Sequence, residues 1–331
     1  MVTNVADSTD PALVRTADPV GNPAQQAVIA LLRRPGEPRT FPAGLGEELR
    51  TDLELALAPI VADLTPDDPL WVSKHALATV HGCEAFHVES AAHRFEWTVP
   101  AARGTVAHKA IELGVHWQGE ATPMELVDEA LARLVDDDRQ GAQRFLGALS
   151  AGDRAELRGL AAELVTSFQE CFPPLKPAWI PVTESRVRVE LLGGSVILSG
   201  KTDLSLGRPS GLVANKVIID LKSGRPSVTH REDLRFYAML EAIKLGVPPR
   251  QVASYYLESG RAQPEDVTVA LLQSAVRRTV EGVIKMVELA RHRREPTRQA
   301  GPTCRWCPLS GDCADGQAEL ARRREGGEGD W

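Results

Sequence analysis

The sequence predicts an α/β protein: one mixed sheet with helices against it. Three observations carry this expectation. Amphipathic patterns at helical spacing fill the first half of the chain. Three successive strand patterns joined by glycine-bearing turns occupy residues 182–224. A helix pattern and a further strand pattern then return, an order that suits a single sheet covered by helices.

Taken in order, residues 1–25 are rich in Ala, Pro, Asp and Thr without periodicity and are expected to form a loose tail. QQAVIALLRR and LGEELRTDLELALAPIVADL make an N-terminal helical region over 26–70. WVSKHALATVHGCEAFHVESAA is a helix candidate with Ser73 as its N-cap. RGTVAHKAIELGVHW, PMELVDEALARLVDDD and AELRGLAAELVTSFQECF follow as helices, and Pro173, Pro174, Pro177 and Pro181 end that region. VTESRVRVELL, SVILSGKTDLSL and KVIIDLKSG are the three strands, REDLRFYAMLEAIKLG a helix, QVASYYLES a fourth strand and DVTVALL a candidate fifth. SAVRRTVEGVIKMVELARHRR is a long helix before the cysteine segment PTCRWCPLSGDC and a charged tail over 316–331.

A chain of 331 residues, 43% hydrophobic and 25% charged, has enough apolar material for a sizeable core. No apolar run reaches membrane-spanning length, and the first residues lack a basic start and apolar centre, so a cytoplasmic protein is expected. Five cysteines in a reducing compartment point to metal or cluster ligation over disulfides. The net charge of −7 does not advertise a polyanion binder. Locally the balance differs, because nine Lys/Arg face six Asp/Glu between Glu184 and Tyr237, and RHRR stands at 291–294.

The Gly-Lys-Thr at 200–202 ends like a phosphate-binding loop, but the spacing fails. With four residues required between the first glycine and Gly200, that glycine position is held by Ser195; Val196, Ile197 and Leu198 are strand formers; and no helix pattern follows. No nucleotide-binding motif is therefore present, and the residue to explain becomes Asp203. In IIDLK, Asp220 and Lys222 are two apart on a strand and project together. Asp203, on the preceding strand, can share a cation with Asp220. Two carboxylates and a lysine around Mg2+ are a device for phosphodiester hydrolysis: the metal polarises the phosphoryl oxygen and lowers the pKa of bound water, and the lysine steadies developing charge. The same triplet on a solvated strand end is an ordinary salt bridge.

GTVAHKAIE, GKTD, IIDLKSG and DLRFY stand in the order of the PD-(D/E)xK nuclease superfamily, and the chain from 71 to 315 resembles its RecB-like branch. The resemblance implies a restriction-endonuclease-like fold, with His108 as a helix-borne metal ligand, Asp203 and Asp220 as metal-binding acids, and Lys222 as the catalytic lysine. Glu112, one turn after His108 on the same face, can join it or cap a basic partner. Glu184, opening the first strand, resembles an acid often found there. The last motif departs from its usual Gln-x3-Tyr: Asp233 precedes Tyr237, and a carboxylate cannot donate an amide's hydrogen bonds. Substrate positioning by Asp233 and Tyr237 is thus altered from the family pattern.

Cys304, Cys307 and Cys313 form a compact triplet that needs a fourth thiolate, and Cys83 and Cys171 are both available. Four thiolates hold either zinc or an iron–sulfur cluster. A subgroup of the RecB-like branch, including AddB-type repair nucleases and certain CRISPR-associated nucleases, carries a 4Fe–4S cluster on one early cysteine and this late triplet. The resemblance implies Cys83 as the fourth ligand, a C-terminal iron–sulfur staple, and Cys171 as a free thiol. The expected function is Mg2+- or Mn2+-dependent hydrolysis of DNA, exonuclease or endonuclease, on single-stranded DNA or DNA with single-stranded ends. Helicase, repair or CRISPR proteins are the partners implied. A catalytically silent DNA-binding module and an iron–sulfur electron carrier are the alternatives.

Overall fold

A computed structural model describes residues 21–33, 38–93, 95–137 and 141–325. Most of the expected N-terminal tail and the end of the charged C-terminal tail lie outside the described residues. The helical first half holds α1 (Pro23–Leu32), α2 (Leu45–Leu57), β1 (Leu70–Val72), α3 (Lys74–Gly82), α4 (Glu84–Ala92), α5 (Val99–His116), α6 (Pro123–Asp137), α7 (Ala142–Ala148) and α8 (Ala151–Cys171). The second half holds β2 (Val182–Leu191), β3 (Val196–Leu206), β4 (Val217–Lys222), α9 (Val228–Leu245), β5 (Gln251–Tyr256), β6 (Arg261–Asp266), α10 (Val269–Ala290) and α11 (Ala314–Glu325).

The strands form one mixed sheet in the order β1-β3-β4-β5-β6, with β2 also on β3. β2 runs antiparallel along one edge of β3, from Val182 opposite Ser205 to Leu191 opposite Val196. The other edge of β3 is shared. Parallel β1 takes Val196–Leu198, and antiparallel β4 takes Leu204–Leu206. Between them β3 forks away from both neighbours, and among the described residues no strand pairs with 199–203 on that edge. β4 and β5 are parallel, in register from Val217–Gln251 to Lys222–Tyr256.

Both faces of the sheet are covered, which is why VIIDL and QVASYY read as continuous apolar runs. Ile218 and Val252 join one core with the stripe Leu45, Leu49, Leu53 and Leu57 of α2 and the apolar residues of α9 and α10. Val217, Ile219, Leu221, Ala253 and Tyr255 join the other, with Val106 and Ala110 of α5, Leu126 of α6 and Val165 of α8. The N-terminal helices therefore contribute to the same two cores as the sheet. Among the described residues no helix is long and apolar enough to cross a membrane.

The mixed sheet flanked by helices is as expected; three local readings differ. Leu70–Val72 is strand β1 rather than the start of a helix, because Leu70 and Val72 pair opposite Val196 and Leu198. Ser73 then caps α3, its hydroxyl accepting from Ala76 N at 3.2 Å. The helix stops at Cys83, whose backbone is extended (φ −155°, ψ 113°), so the single expected helix is two. DVTVALL is not a strand. The final strand is the polar edge RAQPED, and Thr268 caps α10 by accepting from Leu271 N at 3.1 Å. Pairing to β5, not composition, makes Arg261–Asp266 a strand, and Pro264 is tolerated because the strand lies at the sheet edge.

The RHRR stretch is spent on structure. Arg293 pairs with Asp63 at 2.6 Å. Arg294 grips Glu84 bidentately, at 2.5 and 2.9 Å, and also contacts Glu288. Glu84, 6% exposed at its side chain, further accepts from the backbone N–H and hydroxyl of Thr297, at 3.0 and 2.8 Å. The Arg294 guanidinium, outweighing burial with help from Thr297, lowers the Glu84 pKa to about 2. A depressed carboxyl pKa stabilises the fold above the unfolded-state value near 4.5 and loses that contribution as pH falls toward 2. Glu84→Gln is expected to cost about 3 kcal/mol in urea unfolding at neutral pH, and the gap from wild type to close as the pH is taken from about 4.5 to 2. An unchanged unfolding midpoint at pH 7 would remove this pairing from the stabilising contacts.

Candidate active site

The fork in β3 collects the charged residues. Asp203 ends the unpaired stretch, and its Oδ2 accepts from Leu221 N of β4 at 2.8 Å. That bond fixes the Asp203 carboxylate one residue beyond Asp220. α5 lies on the second core and carries His108, whose Nδ1 is 3.4 Å from Asp203 Oδ1. Asp220 is 1% exposed, and a lysine lies at each of its oxygens: Lys74 Nζ at 2.8 Å from Oδ1 and Lys222 Nζ at 2.6 Å from Oδ2. The Oδ2 atom is buried and lacks an aligned hydrogen bond despite that ionic contact. Lys222 also reaches Asp233 of α9 at 3.3 Å.

Burial would raise the Asp220 pKa, but Lys74 and Lys222 outweigh it and bring it down to about 2. Burial disfavours the charge on His108, yet Asp203, then Asp220 and Glu184, raise its pKa above the ordinary histidine value. Asp233 is pushed up by burial, with repulsion from Asp220 adding to it against the pull of Lys222 and Lys74. Tyr237, buried under Lys74, is pushed up to about 12 by desolvation. His230, bonded to the Tyr256 hydroxyl at 3.2 Å, is lowered to about 4 by burial and by Lys222.

The sequence-derived residues therefore divide. His108, Asp203, Asp220, Lys222 and Asp233 come together. Asp233 meets Lys222 as an acceptor, the one role a carboxylate has in place of the amide. Tyr237 packs its ring 5.0 Å from Lys74 Nζ. Glu184, at a left-handed φ of 52°, pairs with Lys201 and contributes to the field at His108. Glu112 bonds Lys109 at 2.9 Å and is not part of the group. Lys74 was not anticipated: the only signal was its place directly after the Ser73 cap, which dates the helix start but says nothing of what lies opposite.

Cys83, Cys304, Cys307 and Cys313 line one cavity with Phe86 and Gly316. Cys83 Sγ accepts from Gln299 N at 3.5 Å, and Cys304 Sγ from Gly301 N at 3.3 Å. Burial, with the other three cysteines adding to it, raises the Cys307 thiol. Cys171 is elsewhere, against Gly260 and Tyr255. Among the described residues no three His, Cys, Asp or Glu side chains converge in metal-holding geometry.

The family profile of the PD-(D/E)XK nuclease superfamily matches residues 72–314, and the chain belongs to that superfamily. No curated protein matches. Similar solved structures include a protein from Eubacterium rectale described as a candidate exonuclease, with 13% identity and TM-score 0.41 over 69% of this chain and 84% of that one. Another is SSO0001, with 15% identity and TM-score 0.31 over 63% of this chain and 94% of that one.

Gly200 pairs with Val187 of β2 on one edge, and a glycine is needed because α9 approaches there: a Cβ at this position would stand 2.4 Å from the Tyr237 ring. Gly200→Ala is expected to push Tyr237 off Lys74 and cost about 1–3 kcal/mol by overpacking, read as a lowered urea midpoint. A variant as stable as wild type would mean that the ring can yield without loss.

Proposed function

We propose that this protein is a Mg2+- or Mn2+-dependent deoxyribonuclease whose centre is Asp203, Asp220, Lys222 and His108. The observation that carries this reading is Asp220: a carboxylate taken out of solvent, within the fork, with cationic groups at both oxygens. Two carboxylates and an imidazole, Asp203, Asp220 and His108, are a donor set that suits a hard divalent cation. When bound, such a cation polarises the phosphoryl oxygen and lowers the pKa of its water. The rest falls to the chain's own groups. Asp203, locked by Leu221 N–H, and Asp220 present oxygens from adjacent strands. His108 approaches from α5, and Lys222, steered by Asp233, offers its ammonium to the charge that develops on the phosphate.

DNA is the proposed substrate, single-stranded or with single-stranded ends, and a helicase or other repair or CRISPR protein the proposed partner. The four cysteines are proposed to hold a 4Fe–4S cluster, a reading supported by their shared cavity and by the two backbone N–H groups aimed at Cys83 and Cys304 sulfurs. The cluster would join the end of α3 to the segment before α11.

Cleavage of end-labelled single- and double-stranded DNA with added Mn2+ tests the centre. Asp220→Asn and Lys222→Met are each expected to lose roughly 10²-fold or more in rate while keeping the wild-type circular dichroism spectrum. Activity at the wild-type level in either folded variant would overturn the assignment.

Metal analysis tests the cysteines. Anaerobically purified protein is expected to carry about four irons per chain, lost in Cys83→Ser and retained in Cys171→Ser. About one zinc per chain in colourless protein would replace the cluster by a zinc site, and iron retained in Cys83→Ser but lost in Cys171→Ser would reverse the ligand choice.

A further inference from the structure

Lys74 is not among the residues that the superfamily motifs of this chain contain, yet it makes the closest contact to Asp220 Oδ1. It is the first residue of α3, directly after β1, and so enters the fork from the strand that leaves β3 there. Four anionic or aromatic groups surround it: Asp220 at 2.8 Å, the Tyr237 ring at 5.0 Å, and Asp233 and Asp203 beyond. A metal that used Asp220 would need an oxygen that a lysine now faces. The two lysines are not equivalent. Lys222 is 15% exposed at its side chain and is held by Asp233 as well as Asp220. Lys74 is 30% exposed, has Asp220 as its salt-bridge partner, and lines a cavity between α3, α9 and α10 with Asp233 and Arg278. Lys74 is thus the more exposed of the two and is held by one carboxylate where Lys222 is held by two.

We propose that Lys74 is a resident cation at Asp220 Oδ1, one that a divalent metal must displace and that, once displaced, presents its ammonium to the DNA phosphate. The physical basis is charge compensation. A carboxylate buried to this degree needs positive charge beside it to remain ionised, and Lys74 joins Lys222 in supplying it when no metal does. When the metal brings its own charge, an ammonium beside it is repelled, and the nearest new anion is the phosphate backbone of the substrate. Metal and lysine then oppose each other at the acid, while lysine and DNA assist each other. This rests on the proposed metal-dependent centre and assigns Lys74 a role in ordering metal and substrate binding there.

The test compares Mn2+ binding by the DNA-free protein, measured from the electron paramagnetic resonance of unbound Mn2+, for wild type, Lys74→Met, Lys74→Arg and Asp220→Asn. Lys74→Met is expected to bind Mn2+ about tenfold more tightly than wild type, the size of an ordinary coupling between two ligands. Its KM for a DNA oligonucleotide at saturating Mn2+ is expected to rise about fivefold or more. Lys74→Arg, which keeps the charge, returns Mn2+ affinity toward wild type. A lysine that only braced the fold would give the opposite sign, since its loss would loosen Asp220 and weaken Mn2+ binding. Equal or weaker Mn2+ binding by folded Lys74→Met therefore overturns the proposal. If Lys74→Met does not fold, Lys74→Gln, which keeps a hydrogen-bond donor for Asp220, is judged by the same two criteria. Wild-type binding that Asp220→Asn abolishes upholds the metal centre, so that failure at Lys74 is then failure of this inference alone. No Mn2+ binding by wild type removes the metal centre and this inference with it.

Discussion

A carboxylate at 1% exposure must be matched by positive charge, and the architecture around Asp220 follows from that constraint. β4 is an interior strand between β3 and β5, so any side chain at position 220 is buried beneath α9. Charge has to be brought to it. Lys222 comes from the same strand two residues on, and Lys74 from the start of α3 through the opening that β3 leaves between β1 and β4. Asp233 on α9 then balances Lys222, and the result is a network of alternating charges. The fork makes this possible, because a fully paired β3 would put backbone where these side chains meet.

α3 connects this network to the other unusual part of the molecule. Its first residue is Lys74, and its C-cap is Cys83, nine residues later. Glu84 follows at once and is clasped by Arg294 and Thr297 from the segment after α10. The chain's late segment is therefore tied to α3 and α4 twice, once by the buried Glu84–Arg294 ion pair and once by the hydrogen bond from the Gln299 N–H to Cys83 Sγ. Two bonded networks at opposite ends of a nine-residue helix, roughly 14 Å long, leave that helix little freedom to shift. A position at its N-terminus is then as well defined as one on the sheet.

Much of this was legible from residues. Leu45, Leu49, Leu53 and Leu57 declare a helix face, and VIIDL and QVASYY declare strands covered on both sides. Asp220 and Lys222 had to share a face because strand side chains alternate, and His108, Asp203 and Asp233 were found by their motifs. Other features left no local trace. RAQPED has a poor strand composition and becomes β6 because β5 offers an edge. RHRR reads as a basic patch, yet Arg293 and Arg294 meet Asp63 and Glu84, more than 200 residues away in sequence.

The sequence by itself determined the α/β class, most of the helices and four of the six strands, and it singled out the acids and the lysine that gather at the fork. These depend on periodicity and on spacings of a few residues, which any window of the chain displays. The tertiary structure alone decided that β3 forks, that Lys74 faces Asp220 across 146 positions, that Asp233 serves Lys222, and that Glu112 turns to Lys109 instead. Those outcomes depend on which charge lies opposite which once distant segments are folded together, and an electrostatic partner is chosen by distance in space, where sequence separation carries no information.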